Sequence, residues 1–182
     1  MKIIKTPIRD LFLIQPNVFE DSRGYFFESY NKEVFFKNAI NVEFVQDNQS
    51  LSGKGVLRGL HFQNQPYAQG KLVRIIKGAV LDVAVDIRKG SPTYGKHYSH
   101  ELNEQNKTML WIPVGFAHGF LTLENETIFS YKCTNVYNKQ SEGTIQWNDK
   151  DLNINWKIST PIVSEKDKQG VAFKDFESMF KI

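Results

Sequence analysis

Cysteine is nearly absent from this sequence of 182 residues, and Cys133 alone cannot form an internal disulfide. A chain without disulfides agrees with a reducing compartment, which makes the cytoplasm the expected location. Long apolar runs are also missing, since no stretch approaches the roughly 18 uncharged apolar residues of a membrane span. The opening residues, MKIIKTPIRDLFLI, contain no uninterrupted apolar segment and no small-residue cleavage site, so we expect no signal peptide.

A marked excess of one charge is missing as well. The net charge is +3, and the lysines and arginines are scattered, so the sequence lacks the electrostatic footprint of a nucleic-acid-binding protein. An anionic small molecule is still compatible with this composition, because two or three positioned cations suffice to hold a phosphate. Hydrophobic residues make up 41% of the chain, which predicts a folded, soluble protein rather than a disordered one.

The middle of the chain has the alternation that is typical of β-strands. In GAVLDVAVDIR, residues 78–88, apolar residues alternate with Asp82, Ala84 and Asp86, which predicts a strand with one polar face. TIFSYKCT, residues 127–134, divides into two faces in the same way. Turn residues separate such runs at intervals of about ten residues, with no helical pattern between them. This spacing predicts an all-β antiparallel sandwich or barrel.

Helical patterns occur only outside this strand-rich region, over residues 31–40 and in the tail KDFESMF at 174–180. The length predicts one domain that spans residues 1–182. We expect this domain to consist of N-terminal strands and a short helix in 1–45, a barrel core in 46–136, and a wrapping C-terminal segment in 137–182.

Four histidines are the first candidates for proton transfer. His97 and His100 stand beside turn residues and charges, and we expect them to lie in a solvated hairpin. His61 and His118 stand in strand-like runs among glycines and large apolar residues, where a polar group without a partner costs about 1–3 kcal/mol. Both a structural core histidine and a site histidine fit that setting.

Other chemistries have weaker support. Gln63 stands where a His-x-His metal motif would have its second histidine after His61, so we expect no metal. No Gly-x-Ser-x-Gly elbow is present, and Cys133 has no distinguishing neighbours, which disfavours nucleophilic catalysis. General acid–base chemistry remains, with His61 as a group that titrates near neutrality. Lys71 could then face an oxygen that becomes negative, and Tyr131 could deliver a proton, although a solvated strand end and a core tyrosine also fit these residues.

The strand around His61 raises a question of direction. In a regular strand Arg58 and His61 point to opposite faces. They can serve one site only if Gly59 marks a bulge or a bend, which glycines in strands often do.

Segments along most of the chain resemble the dTDP-4-dehydrorhamnose 3,5-epimerase family. They occur in the family's order and at close spacing, from about residue 4 to about residue 170. The matching segments are DSRGYFFE at 21–28, QDNQS at 46–50, GVLRGLHFQ at 55–63, AQGKLVR at 68–74, DVAVDIRKGSPT at 82–93, IPVGFAHGF at 112–120, YKCT at 131–134, WND at 147–149 and SEKD at 164–167.

This resemblance implies a fold and an activity. The fold is a cupin-type jelly roll with a few short peripheral helices, metal-independent and without a cofactor, in a homodimer that exchanges an N-terminal strand. The activity belongs to rhamnose biosynthesis: dTDP-4-dehydro-6-deoxy-D-glucose is epimerised at C3 and C5 to dTDP-4-dehydro-L-rhamnose. Lys150 and Lys157 stand where prolines are common in the family, and we expect these departures to alter loop rigidity only.

The resemblance also implies a role for individual residues. His61 resembles the base and Asp167 its partner, Tyr131 the acid on the opposite face of the sugar ring, and Lys71 the group that holds the enolate oxygen. The residues that resemble nucleotide-sugar contacts are Arg23, Glu28, Gln46, Asn48, Arg58, His118, Tyr137, Glu142 and Lys166.

Elementary acidity explains why such an enzyme needs all these groups. A hydrogen beside a ketone is less acidic than an imidazolium by more than ten pK units, a gap on the order of 14 kcal/mol. A buried cation at the forming enolate can supply several kcal/mol of this. Inversion also requires a second proton carrier on the other face. The alternatives are a single-site epimerase or ketoisomerase on a related nucleotide 4-ketosugar, a non-catalytic sugar-nucleotide-binding cupin, and a metal-dependent cupin oxygenase.

Overall fold

A computed structural model describes all of residues 1–182 and is built mainly from β-strands, which confirms the predicted all-β class. The helical elements are α1 (Lys32–Lys37), α2 (Glu165–Lys168) and a 3-10 turn at Phe173–Asp175. Neither α-helix has the length or the apolar character needed to cross a membrane. The strands are β1 (Lys2–Lys5), β2 (Phe12–Gln15), β3 (Phe19–Asp21), β4 (Gly24–Phe26), β5 (Gln46–Ser52), β6 (Val56–Gln63), β7 (Lys71–Lys77), β8 (Ala79–Asp86), β9 (His97–Asn103), β10 (Met109–Ile112), β11 (Phe116–Thr122), β12 (Thr127–Cys133), β13 (Glu142–Thr144) and β14 (Ile162–Val163).

Two large sheets pack face to face. The first has the strand order β1-β2-β10-β7-β12-β5, and the second has the order β13-β6-β11-β8-β9, with β14 added in parallel to β6. The hairpin of β3 and β4 stands apart as a two-stranded sheet. Apolar side chains from both sheets meet between them, and the rings of Phe120 and Phe129 stack there at 4.1 Å. This inter-sheet space is the interior of the sandwich.

Strand β8 has the predicted polar face, but both of its faces are buried. Leu81, Val83 and Val85 lie on the outer face of the second sheet, where residues of the C-terminal segment such as Ile145 and Trp156 cover them. The polar face, with Asp82, points into the sandwich. Polar side chains of β8 are therefore available to the interior rather than to solvent.

The helical predictions are confirmed in part. Helix α1 lies within the predicted range 31–40, and the side chain of Asn31 accepts hydrogen bonds from the backbone at its first turn. The predicted helix in 174–180 is mostly wrong, because only the 3-10 turn Phe173–Asp175 reaches into it. Helix α2 was not predicted; the Ser164 hydroxyl caps it by accepting from the backbone N–H of Asp167.

Strand β6 has a local irregularity between Arg58 and His61, the position where a bulge was predicted. His61 pairs with His118 on β11, but Arg58 pairs with Phe120, so three steps on β6 match two steps on β11. Gly59 lies between them with φ of +139°, and a Cβ there would come within 2.5 Å of the backbone of Gly119. The predicted bulge at Gly59 is confirmed.

His97 and His100 lie in a hairpin of β8 and β9, as predicted, but they are not solvated, so that part of the prediction is wrong. Both are half-buried in β9, which pairs with β8 along its full length. The turn residues 89–95 lie in the connection between β8 and β9.

Candidate active site

His61 is paired with a buried carboxylate. Its Nε2 lies 2.6 Å from Oδ1 of Asp167, and the other oxygen of Asp167 accepts a hydrogen bond of 3.2 Å from the backbone N–H of Gly59. Burial would raise the pKa of Asp167, but the hydrogen bond and the charge of His61 outweigh burial and bring that pKa below its ordinary value. An ionised Asp167 fixes the ring and leaves the Nδ1 of His61 unengaged by this partner.

His61, Lys71 and Tyr131 line one cavity of about 280 Å³. They come from different sheets, since His61 is on β6 and the other two are on the neighbouring strands β7 and β12. The remaining lining residues are Gln46, Asn48, Phe62, Gln63, Gln69, Tyr137 and Glu142. A cavity between the two sheets thus brings together a base, a cation and a phenol that are far apart in the sequence.

Lys71 lies at the start of β7, directly opposite Cys133 on β12. Burial lowers the pKa of its ammonium group, while the nearby Cys133, Asp82 and Glu142 oppose that shift. The Nζ atom lies 6.0 Å from the centre of the Tyr131 ring. The cation is therefore weakly solvated and close to the phenol, where its field is strong.

Tyr131 presents its ring to the cavity from β12. Burial raises the pKa of its hydroxyl, so the phenol keeps its proton at neutral pH and can act as a donor. Its ring packs edge-on against Phe129 at 5.8 Å. The alternation predicted for residues 127–134 holds, because Phe129, Tyr131 and Cys133 share this face.

His118 does not line the cavity, although it was predicted to contact the sugar nucleotide. It is buried on β11 beside His61, with which it pairs, and its Nε2 lies 3.1 and 3.0 Å from the two oxygens of Asp82. Burial lowers the pKa of His118, against the opposing effect of Asp82. Asp82 was missed by the sequence analysis, although the alternation in β8 already set it apart on the polar face.

Hydrogen bonds hold the rim of the cavity in place. Glu142 forms an ion pair with Lys166 and accepts a hydrogen bond of 3.0 Å from the Tyr137 hydroxyl. Burial would raise the pKa of Glu142, but these two partners bring it below the ordinary value. Gln46 accepts from the backbone N–H of Tyr137 at 2.8 Å and donates to Asn48 at 3.1 Å. These predicted contact residues therefore form one connected wall.

Three further residues, Phe62, Gln63 and Gln69, line the cavity without having been predicted. The Gln63 side chain donates to the carbonyls of Tyr67 and Val136, at 2.6 and 3.1 Å. The Gln69 side chain donates to the carbonyl of Asn135 at 2.7 Å. Both glutamines tie the loop after β12 to the cavity, and both lie in segments, 55–63 and 68–74, that resemble the family.

Arg58 opens to a second cavity, of about 410 Å³, which His61, Lys166 and Asp167 also line. Its guanidinium group donates to the Ser52 hydroxyl at 3.2 and 3.3 Å. The two cavities share His61, so the cations Arg58 and Lys166 line a space that adjoins the cavity of Lys71 and Tyr131.

Arg23 and Glu28 stay away from both cavities. Arg23 lies in the turn of the β3–β4 hairpin, with 88% of its side chain exposed, and pairs only with Asp21 at 2.5 Å. Glu28 accepts a hydrogen bond from Asn31 at 3.1 Å. Within one chain these two predicted contacts are not assembled with the rest.

No cluster of three or more His, Cys, Asp or Glu side chains converges in the geometry of a metal site. The expected metal independence stays a prediction.

The sequence of this chain matches a known protein family. The family model described as dTDP-4-dehydrorhamnose 3,5-epimerase matches residues 5–175. A dTDP-4-dehydrorhamnose 3,5-epimerase of Shigella flexneri is 55% identical over 177 residues, which cover 96% of this chain and 97% of that protein.

Solved structures of such enzymes share the fold. The dTDP-4-dehydrorhamnose 3,5-epimerase of Elizabethkingia anophelis matches with a TM-score of 0.91 and 52% identity, over 96% of this chain and 97% of that one. A Legionella pneumophila epimerase solved with dTDP-4-keto-L-rhamnose matches with a TM-score of 0.93 and 44% identity, over 97% and 94%. The two-sheet sandwich is thus the predicted cupin-like jelly roll. The chain belongs to the dTDP-4-dehydrorhamnose 3,5-epimerase family.

Proposed function

We propose that this protein epimerises dTDP-4-dehydro-6-deoxy-D-glucose at C3 and C5 to give dTDP-4-dehydro-L-rhamnose. The observation that carries the proposal is the single cavity lined by His61, Lys71 and Tyr131. The proposal also rests on membership of a family whose relatives carry this activity in their names.

His61 is proposed as the base that removes the proton beside the ketone. Asp167 engages Nε2, so Nδ1 is the nitrogen left to accept the substrate proton. The ionised carboxylate then stabilises the imidazolium that forms.

Lys71 is proposed to stabilise the enolate that remains after proton removal. A weakly solvated ammonium group acts strongly on a charge that develops beside it. Removing the proton places negative charge on the former ketone oxygen, which is the position that this cation would meet.

Tyr131 is proposed to return a proton from the opposite face of the ring. The base alone would restore the original configuration, whereas a donor on the other face inverts the carbon. The raised pKa of the phenol keeps it protonated for this step, and the charge of Arg58, which opposes that rise, limits the cost of the phenolate that results.

The predicted nucleotide contacts divide into four groups, of which Arg23 and Glu28 form the last. Gln46, Asn48, Tyr137 and Glu142 line the catalytic cavity, so we assign them to the sugar and the base of the nucleotide. Arg58 and Lys166 line the adjoining cavity and supply cations for the pyrophosphate. His118 is buried, contacts Asp82 and does not line the cavity, so we assign it a supporting role.

Arg23 and Glu28 are proposed to reach the site of a partner subunit. The hairpin that carries Arg23 exposes Phe19, Tyr25 and Phe26, with 65%, 57% and 66% of their surface accessible. An apolar hairpin with this much exposed aromatic surface fits a homodimer that exchanges the segment. Arg23 of one chain would then meet the pyrophosphate bound by the other.

The remaining assignments extend the sequence analysis. We propose a single domain over residues 1–182, with parts 1–45, 46–136 and 137–182. The proposed metal independence and cytoplasmic location rest on the absence of a His-x-His motif and of a disulfide, and dTDP-sugar is the expected partner, with no nucleic acid.

Turnover in deuterated water tests the reaction. The purified protein with dTDP-4-dehydro-6-deoxyglucose is expected to introduce deuterium at both C3 and C5, observed by NMR of the sugar ring. Tyr131→Phe is expected to keep solvent exchange and to lose inversion, because the base still acts but the opposite donor is gone. Deuterium at only one carbon would establish a single-site epimerase, and no deuterium at either carbon would favour a binding protein.

A further inference from the structure

His100 faces the polar interior beside the site. It pairs directly with Asp82 across β8 and β9, and the side chains of such a pair lie on one face with Cβ atoms about 4.5–5.5 Å apart. Leu102 and Tyr98, two residues away on either side, both belong to the inter-sheet core or pack against it. His100 therefore points inward, toward the carboxylate that holds His118.

Asp82 links several titratable groups. Its two oxygens accept from one nitrogen of His118, which leaves lone pairs for a further donor. His118 in turn pairs with His61 across β6 and β11. Asp82 also lies near enough to Lys71 to raise the pKa of that ammonium group. A change at Asp82 therefore reaches both the base and the cation of the proposed site.

We propose that His100 is a positioning residue which, when it gains a proton, draws Asp82 away from His118 and thereby disorganises the site as pH falls. This inference rests on the proposed function for its effect on turnover, but the coupling between His100 and Asp82 does not depend on it. Protonation takes one proton from solvent and needs no other reactant.

The surroundings of His100 determine the direction of its titration. Burial lowers its pKa, while Asp82 on β8 and Glu101 on its own strand oppose the shift. The ring of Tyr98 stacks on the imidazole of His100, and the Tyr98 hydroxyl lies 3.4 Å from Nδ1 of His100. On the facing sheet, the inward titratable groups are Lys71 on β7 and Tyr131 on β12. His100 is therefore neutral at pH 7 and becomes a cation only in acid.

His97 provides a matched control on the same strand. It pairs with Val85, whose side chain lies on the outer face of the second sheet, so His97 points away from the interior. Burial lowers its pKa too, against a hydrogen bond with the backbone of Leu152 in the C-terminal segment. The two histidines share strand, half-burial and residue type, but differ in the face they occupy.

Histidine NMR titration of the full-length protein tests the coupling without requiring activity. In Asp82→Asn the pKa of His100 is expected to fall by about one unit, because an opposite charge has been removed, while the pKa of His97 stays unchanged. In the unsubstituted protein the His118 resonance is expected to follow the titration of His100, and His100→Gln should abolish that response. If Asp82→Asn does not fold, the response of the His118 resonance in the unsubstituted protein and in His100→Gln still tests the coupling.

The pH dependence of kcat/KM gives the functional readout. The acid limb is expected to involve two protons in the unsubstituted enzyme and one in His100→Gln, with His97→Gln retaining two. Any one of three results would overturn the proposal. The pKa of His100 could be unchanged in Asp82→Asn, or the His118 resonance could fail to respond to the titration of His100. The third is an acid limb of His100→Gln that superimposes on that of the unsubstituted enzyme. Absence of turnover in every variant would overturn the proposed function, and the titration would still decide the coupling.

Discussion

The His61–Asp167 pair shows how much one contact between distant residues contributes. His61 stands on a core strand, and its partner lies on α2, more than a hundred residues later in the chain. The carboxylate is 3% exposed, so its charge acts through a poorly screened medium. The ring orientation and the identity of the free nitrogen both depend on this single hydrogen bond.

Asp167→Asn is expected to lower kcat by about 10²–10⁴, the range that a general base contributes, because an amide can neither stabilise the imidazolium nor fix the tautomer. Steady-state kinetics with the dTDP-sugar checks this. Glu165→Gln is the matched control: it lies on the same short helix, 83% of its side chain is exposed, and it pairs only with Lys168. Equal activity of the two variants would contradict the role of Asp167.

At the scale of an element, the turn after β8 depends on a buried ion pair. Asp86 accepts hydrogen bonds from Arg88 at 2.9 Å, from Ser91 at 2.6 Å and from Thr93 at 2.7 Å. Arg88 also reaches Asp10 at 2.9 Å, which ties the N-terminal region to the second sheet. Burial would raise the pKa of Asp86, but its donors outweigh burial and bring the pKa below 3.8.

Asp86→Asn is expected to lower the free energy of unfolding by about 3–5 kcal/mol at neutral pH, because the buried Arg88 loses its buried charge partner and keeps only the half-exposed Asp10. A carboxyl group whose pKa is lowered by folding stabilises the fold when the pH is above the pKa of the unfolded chain. That contribution is lost as the pH falls from there through the lower pKa of the folded protein. The difference between variant and unsubstituted protein should therefore narrow below pH 3.8.

Urea unfolding at several pH values measures this difference. Asp10→Asn is the control, because it also contacts Arg88 but 48% of its side chain is exposed, and it should cost less than about 1 kcal/mol. A loss of stability for Asp86→Asn that does not change between neutral and acid pH would contradict the argument.

The same element shows what the sequence could and could not predict. The period of two in residues 79–86 predicted β8 correctly, because a strand imposes that period whatever its surroundings. It could not reveal that both faces are buried, since the outer cover comes from Ile145 and Trp156, far along the chain. Asp82 was missed for that reason: a polar residue on an alternating strand is expected to face solvent unless the opposing layer is known.

The sequence predicts the site only where short motifs identify its residues. The types of His61, Lys71 and Tyr131 suggest acid–base chemistry, but no local pattern brings three separate strands to one cavity. The bulge at Gly59 was predictable, because a glycine inside a strand often marks one. Helix α2 escaped prediction because four residues are too few for a period to appear.

At the scale of the whole molecule, the exposed β3–β4 hairpin is the feature that a single chain leaves unexplained. Phe26→Ser is expected to weaken the proposed homodimer by about 1.5–3 kcal/mol for each buried phenylalanine, and to lower activity with it. Sedimentation velocity over a range of concentrations measures the shift toward monomer. Met179→Ser, at a similarly exposed position in the C-terminal tail, should leave assembly unchanged. A Phe26→Ser variant that stays fully dimeric would contradict the exchange.

The position of Asp167 on α2 has a consequence for biosynthesis. Translation proceeds from the amino terminus, so His61, Lys71 and Tyr131 all emerge from the ribosome before Asp167 does. A nascent chain can therefore assemble both sheets and still hold an unsupported imidazole. The proposed catalyst is completed only when α2 has been synthesised and has docked. A partly made chain therefore lacks the hydrogen bond that orients its base.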